Sequence, residues 1–320
     1  MKALKFENNS LRLAAVERPR MPGEALVRVV KSGICSTDLE IVRGYAGFEG
    51  TIGHEFAGVV EESPGAPEWK GKRVVGEINA GCGECLLCKA GDSRHCERRT
   101  VLGIKGRDGA HAEFLNLPHS NLLEIPENVS NDAAVFTEPL AAALGITEQI
   151  DVLPETRLAV IGDGKLGLLC ALSLGLFTSN AVIIGKHREK LAIAKRRGVE
   201  SILLEAAAKM NRSFDVVVEA SGSESGFATA LDLVRPRGKI VLKSTFHGMP
   251  KWEAWRVVVD EVSVVGSRCG RFAPALELLA AGKINVEDLI ADEYPLSKGV
   301  DAVRRAGEKG ALKVLLDAAR

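Results

Sequence analysis

The chain predicts an α/β protein in two parts: a doubly wound parallel sheet, and a β-rich domain carrying a cysteine lobe. Three observations predict it. From about residue 157, short apolar segments alternate with stretches of helical period, the texture of βαβ units in a parallel sheet. Before residue 145 the chain reads as many short β-rich segments punctuated by Gly and Pro. Four of the seven cysteines crowd between Cys82 and Cys96. A length of 320 residues suits two domains.

Each element has a local reason. Residues 25–30 and 56–60 are β-rich strands, and 138–144 reads as a helix with Thr137 as N-cap and Pro139 in its first turn. In the second part, 158–161 and 181–184 are apolar strands. A buried helix is expected over 166–176, and an amphipathic helix over 188–197 that Gly198 terminates. Strands follow at 215–219, 239–242 and 262–265.

Bulk properties narrow the function. Lys plus Arg and Asp plus Glu both number 42, so there is no basic excess of the kind a nucleic-acid or acidic-membrane binder carries. No apolar run reaches the length of a membrane span. The start, Met1 to Phe6, lacks the apolar core of a signal peptide, so the expected location is the cytoplasm. Cysteines there serve as thiols or metal ligands rather than disulfides.

Cys82, Cys85, Cys88 and Cys96 follow the spacing C-x2-C-x2-C-x7-C. Four thiolates suit a closed tetrahedral zinc site, whose role is folding rather than catalysis. His95 abuts the last cysteine and is read as a bystander, because four ligands already fill the ion.

Gly162-Asp163-Gly164-Lys165-Leu166-Gly167 follows an apolar strand and opens an apolar helix, the context of a Rossmann dinucleotide turn. Gly162 permits the tight turn, Gly164 lets a pyrophosphate approach, and Gly167 allows close helix–sheet packing. Enzymes that use NAD place an acid at the end of the second strand. Gly185 stands there, followed by Lys186, His187 and Arg188. The expectation is a preference for NADP with NAD possible; the other reading is a solvated basic helix start with dual cofactor use.

Gly33-Ile34-Cys35-Ser36-Thr37-Asp38, then Gly53-His54-Glu55, then the four-cysteine lobe, then Glu138-Pro139 occur in that order. The ordered set resembles the zinc-containing medium-chain dehydrogenase/reductase family. The resemblance implies a GroES-like catalytic domain over 1–147 and 269–320, with its zinc lobe at about 80–97, and a Rossmann domain over 148–268. It implies two zinc ions per chain. Cys35, His54 and Glu138 match ligands of a catalytic zinc, with Glu55 beside it and able to exchange as a ligand. Asp38 matches the carboxylate that orients the ligand His54, and Thr37 the hydroxyl that takes the alcohol proton. Glu40 stands where many relatives have a His that passes the proton outward; it is read either as that relay or as a solvent-facing helix residue.

The implied activity is hydride transfer between an alcohol, polyol or sugar carbinol and NAD(P), by a homodimer or homotetramer without nucleic acid or membrane partners. Aldose 1-dehydrogenase and threonine-type 3-dehydrogenase are alternatives within the chemistry. A non-catalytic binding or structural member is the alternative outside it. Tyr45 and Phe48 are candidates for a substrate pocket, His247 for the nicotinamide side, and Trp252 and Trp255 for packing or an interface.

Overall fold

The computed structural model describes residues 1–245 and 253–319; His247 and Trp252 lie outside the described residues. The chain forms two compact units, Met1–Glu138 with Phe272–Arg320, and Pro139–Arg271. The division falls earlier than residue 147, and the reason lies in the packing of 139–147. A Cβ on Gly145 would meet the carbonyl of Cys269, and Gly270 packs against the backbone of Ala141 and Gly145. Those close backbone contacts tie the segment to the second unit.

In the first unit, seven strands among the described residues form one sheet. Its path runs Leu122–Glu124, Arg73–Gly76, Glu55–Glu62, Ala25–Ile34, Lys313–Asp317 and Ile290–Pro295, with Phe114–Leu117 also paired to Ala25–Ile34. The pairing is antiparallel except between the last two strands of that path. Register matters for chemistry: Gly33 lies opposite Glu55 on one side and Leu315 on the other. Cys35, Glu55 and Lys313 are therefore delivered to the same end of three adjacent strands. Beneath them Leu4, Ile34, Ile41, Ile52, Val314 and Leu316 pack as a core. Phe48 belongs to that core, and Tyr45 is exposed.

In the second unit, six parallel strands run in the order Glu200–Leu203, Ala181–Gly185, Leu158–Ile161, Phe214–Glu219, Val234–Leu242, Ser263–Gly266. In chain order this is 3-2-1-4-5-6, the doubly wound arrangement whose strand order reverses beside the first strand. The central strands are buried, as near-continuous Val and Ile runs require. Thr137 is inside its helix, Thr137–Leu144, not capping it: its hydroxyl donates to the carbonyl of Ala134 at 2.7 Å.

Candidate active site

Cys35 ends the strand Ala25–Ile34 and caps the helix Ser36–Val42. Its backbone N–H donates to Asp38 Oδ2 at 2.7 Å, which stabilises the helix start. Asp38 is fully buried and does more than cap. Its Oδ1 accepts the N–H of Gly53 at 3.2 Å and lies 3.4 Å from His54 Nδ1. Burial works against its charge, but His54 and then His111 hold its carboxyl far below the usual range. Burial likewise opposes a charged His54, and the Asp38 and Cys35 charges overcome it, raising the imidazole well above its ordinary value.

Donor atoms of Cys35, His54 and Glu55 lie within 4.8 Å of one another. The sulfur of Cys35 is 3.8 Å from Thr37 Oγ1. Glu55 is completely buried, and its Oε1 has no hydrogen-bond partner among the described residues, as a carboxylate oxygen left for a cation would be. Glu138 is half-buried and outside this set of three; it reaches the centre through its charge on Lys313. Glu40 turns to Arg43, with Oε1 2.6 Å from the guanidinium.

Two residues of this centre were missed in the sequence. Lys313, the first residue of the last strand, is 1% exposed and hydrogen-bonds Glu55 Oε2. Burial opposes its charge; Glu55 and then Cys35 hold its pKa above the usual lysine value. Gly33 makes room for the pair, since a Cβ there would sit 2.5 Å from Glu55 Oε2. His111 is also fully buried. Its Nδ1 is 2.9 Å from Ser32 Oγ and its Nε2 3.5 Å from Asp38 Oδ2, so Asp38 lies between two imidazoles. Gly53 is required beneath it: φ is +99°, and a Cβ would land 2.5 Å from the His111 ring. Lysine opening a fully buried strand was the available signal for Lys313; His111 gave none.

The four lobe cysteines also converge, with donor atoms within 4.8 Å of one another. The sulfurs of Cys82 and Cys88 are 4.0 Å apart, and the N–H of Cys88 donates to the sulfur of Cys85 at 3.5 Å. Backbone N–H groups of Glu84 and Cys85 pull the Cys82 thiol down to about 6, while burial pushes the Cys88 thiol up to about 11. Thiolate is the form that binds metal. His95 is half exposed and faces Asp92, outside the cluster.

In the second unit Gly162 has φ +115°, and a Cβ on it would meet the Ala220 carbonyl at 2.6 Å. Gly164 caps the helix Lys165–Leu174 and has open space where a Cβ would be, so a bound group can approach its backbone. Gly167 packs against the carbonyl of Gly162. The turn thus has the shape and helix N-terminus a pyrophosphate needs. One premise is corrected. The end of the second strand does have a carboxylate beside it, because Asp163 reaches across from the turn and fills the space next to Gly185. The basic run Lys186, His187, Arg188 thus has a carboxylate beside it.

Known proteins agree with this geometry. The alcohol dehydrogenase GroES-like domain matches residues 21–127, and the zinc-binding dehydrogenase domain matches 164–281. The L-threonine 3-dehydrogenase of Chelativorans sp. is 33% identical over 92% of each chain. The erythritol/L-threitol dehydrogenase of Mycolicibacterium smegmatis is 30% identical over 95% of this chain and 94% of its own. Among solved structures, a short chain alcohol dehydrogenase of Escherichia coli CFT073 complexed with NADH superposes with TM-score 0.90, at 28% identity over 99% of both chains. A zinc-binding dehydrogenase of Sinorhizobium meliloti 1021 bound to NADP does so with TM-score 0.89, at 26% identity over 99% of this chain and 98% of its own. Fold, site and matches together define a zinc-dependent dehydrogenase. The chain belongs to the zinc-containing medium-chain dehydrogenase/reductase family.

Proposed function

We propose that this enzyme interconverts the carbinol of a polyol or related alcohol with its carbonyl, using one catalytic zinc, one structural zinc and a nicotinamide dinucleotide. The convergence of Cys35, His54 and Glu55 at the end of three strands, apart from the four-cysteine lobe, carries the reading. Cys35, His54 and Glu55 would hold the catalytic ion, with Glu138, whose charge is felt at Lys313, as the candidate for a further or exchanging ligand; Cys82, Cys85, Cys88 and Cys96 would hold the other. When bound, the catalytic ion supplies a Lewis acid that favours the ionised alcohol at neutral pH, and the dinucleotide supplies the hydride acceptor.

The chain's own residues do the rest. Asp38, itself braced by His111, fixes the ring of His54, as outer carboxylates do for ligand imidazoles. Thr37, beside the Cys35 sulfur, would accept the hydrogen bond of the alcohol hydroxyl and pass its own proton on to solvent as the alkoxide forms. Glu40, paired with Arg43, is the outward relay only if it leaves that partner; the pairing favours a surface role. Gly162, Gly164 and Gly167, with the backbone of Lys165 and Leu166, cradle the pyrophosphate. Sorbitol, erythritol and xylulose in the names of relatives favour a polyol over a simple alcohol. The threonine dehydrogenases among them keep an amino alcohol as the second reading.

Metal analysis together with a screen of polyols, aldoses, secondary alcohols and threonine tests this. About two zinc ions per chain and turnover on one of these classes are expected. One zinc per chain with no turnover on any of them would overturn the reading.

A homodimer fits the second unit. Ser263–Gly266 is an edge strand, and an unprotected edge is a template for pairing. The neighbouring helix Ala254–Val259 exposes Trp255, Val258 and Val259, by 60%, 75% and 68%. Light scattering after gel filtration should give the dimer mass, and Val258→Lys with Val259→Lys should shift it to monomer. A wild-type monomer would refute the dimer.

A further inference from the structure

Asp163 lies inside the glycine turn, directly after Gly162. Its side chain does not project into solvent. It is 7% exposed and crosses to the end of the neighbouring strand, Ala181–Gly185. There its Oδ2 accepts the backbone N–H groups of Lys186 at 2.6 Å and His187 at 2.7 Å. The His187 Nδ1 is 3.1 Å from both carboxylate oxygens. Burial pushes the Asp163 carboxyl up, but the His187 and Lys186 donors outweigh it and hold it below its ordinary range. A Cβ on Gly185 would fall 2.5 Å from the Cβ of Asp163. Position 185 is glycine here because the Asp163 side chain already fills the volume.

We propose that Asp163 is the residue that selects the dinucleotide, favouring NAD by placing a carboxylate in the seat that the 2′-phosphate of NADP would need. The inference rests on the reading of the turn as a dinucleotide site. Two successive N–H groups and an imidazole at the start of the helix Arg188–Arg196 are what an anion would use. All three are taken by a built-in anion. A 2′-phosphate brought there would face a buried negative charge and find its donors occupied. A ribose hydroxyl meets no such obstacle, because it donates, and an ionised carboxylate only accepts.

Magnitude decides between this carboxylate and the basic run beside it. Lys186 and Arg188 are exposed, so solvent and salt screen them within roughly 8–10 Å. Asp163 is almost enclosed, and its field is screened much less. Rejection of one ligand by a buried charge of the same sign is the stronger device here.

Calorimetric binding to the zinc-loaded enzyme tests the proposal, with NAD, NADP, 5′-AMP and 2′,5′-ADP as probes. The adenosine fragments report on this seat without any turnover. Wild type should bind NAD at least about tenfold more tightly than NADP, a difference of about 1.4 kcal/mol, and 5′-AMP more tightly than 2′,5′-ADP. Asp163→Asn and Asp163→Ala should shift both ratios toward the phosphorylated ligand by at least about tenfold. A residue that only braces the turn would weaken both ligands of each pair equally. Unchanged ratios in the variants, or a wild type that prefers NADP, would therefore overturn the proposal. NADP preference with tight binding leaves the dinucleotide site standing; absence of binding by all four probes removes both.

Discussion

Replacing Cys35 by Ala should lower turnover by at least about a thousandfold, while the protein keeps its fold and its lobe zinc. A bound ion stabilises the developing charge by several kcal/mol, and each 1.36 kcal/mol is tenfold in rate, so losing it costs roughly three powers of ten or more. The fold survives because half of the capping box that starts the helix Ser36–Val42 uses the backbone of residue 35, whose N–H donates to Asp38 and is kept in alanine. The centre's frame, made by Asp38, His54 and Lys313, also remains. Metal content should fall from about two ions per chain to about one. The contrast is Cys96→Ser, at a fully buried lobe cysteine, which should also remove one ion but expose the 80–101 segment to protease. Zinc free energy is folding free energy in closed sites. If Cys35→Ala retained turnover, the assignment of the catalytic centre would be wrong.

The two variants separate because the two sites are built differently, and that difference governed what could be read from the sequence. The lobe is local: its four cysteines lie in one short segment, and turns at Gly83 and Gly91, both with positive φ, wrap the chain around them. The Rossmann half is almost as local, since each strand and helix follows from its own apolar pattern and the glycine turn is contiguous. The catalytic centre was legible only where its motifs were short, at Cys35 to Asp38 and at His54 with Glu55. Lys313 and His111, packed behind those motifs, were not. Lys313 is 258 residues from Glu55, and the pairing of Ala25–Ile34 with Lys313–Asp317 on one side and Glu55–Glu62 on the other brings them together. His111 reaches Asp38 across 73 residues by sitting over a glycine (111 − 38 = 73). Asp163 was visible as a letter inside the motif, but not as the side chain that fills the place of residue 185. Spacing along a chain encodes turns; it does not encode which side chains a sheet register makes neighbours.

Lys313 carries the second large expectation, and it concerns stability before chemistry. Lys313→Met should destabilise the first unit by about 3–5 kcal/mol, the usual cost of breaking a buried ion pair from one side. The methionine fills much the same volume, so the loss is electrostatic: Glu55 keeps its charge, with no exposure to water and no remaining partner for Oε2. Because Lys313 is held above the usual lysine pKa, its contribution is present at neutral pH and lost only as pH rises through that raised value. Removing the stranded charge as well should recover much of the loss. The double variant Lys313→Met with Glu55→Gln is expected to be more stable than Lys313→Met alone by at least about 1 kcal/mol, a coupling that only residues in direct contact give. Urea unfolding of the four forms in a Cys35→Ala background, which is expected to lack the catalytic ion and keep the lobe zinc, measures the cycle, because a bound ion would itself balance the Glu55 charge. Should Lys313→Met there unfold at its parent's midpoint, the buried Glu55 charge needs no lysine and the pair adds nothing to stability. The same cycle with the ion bound shows how far the metal takes over that balance.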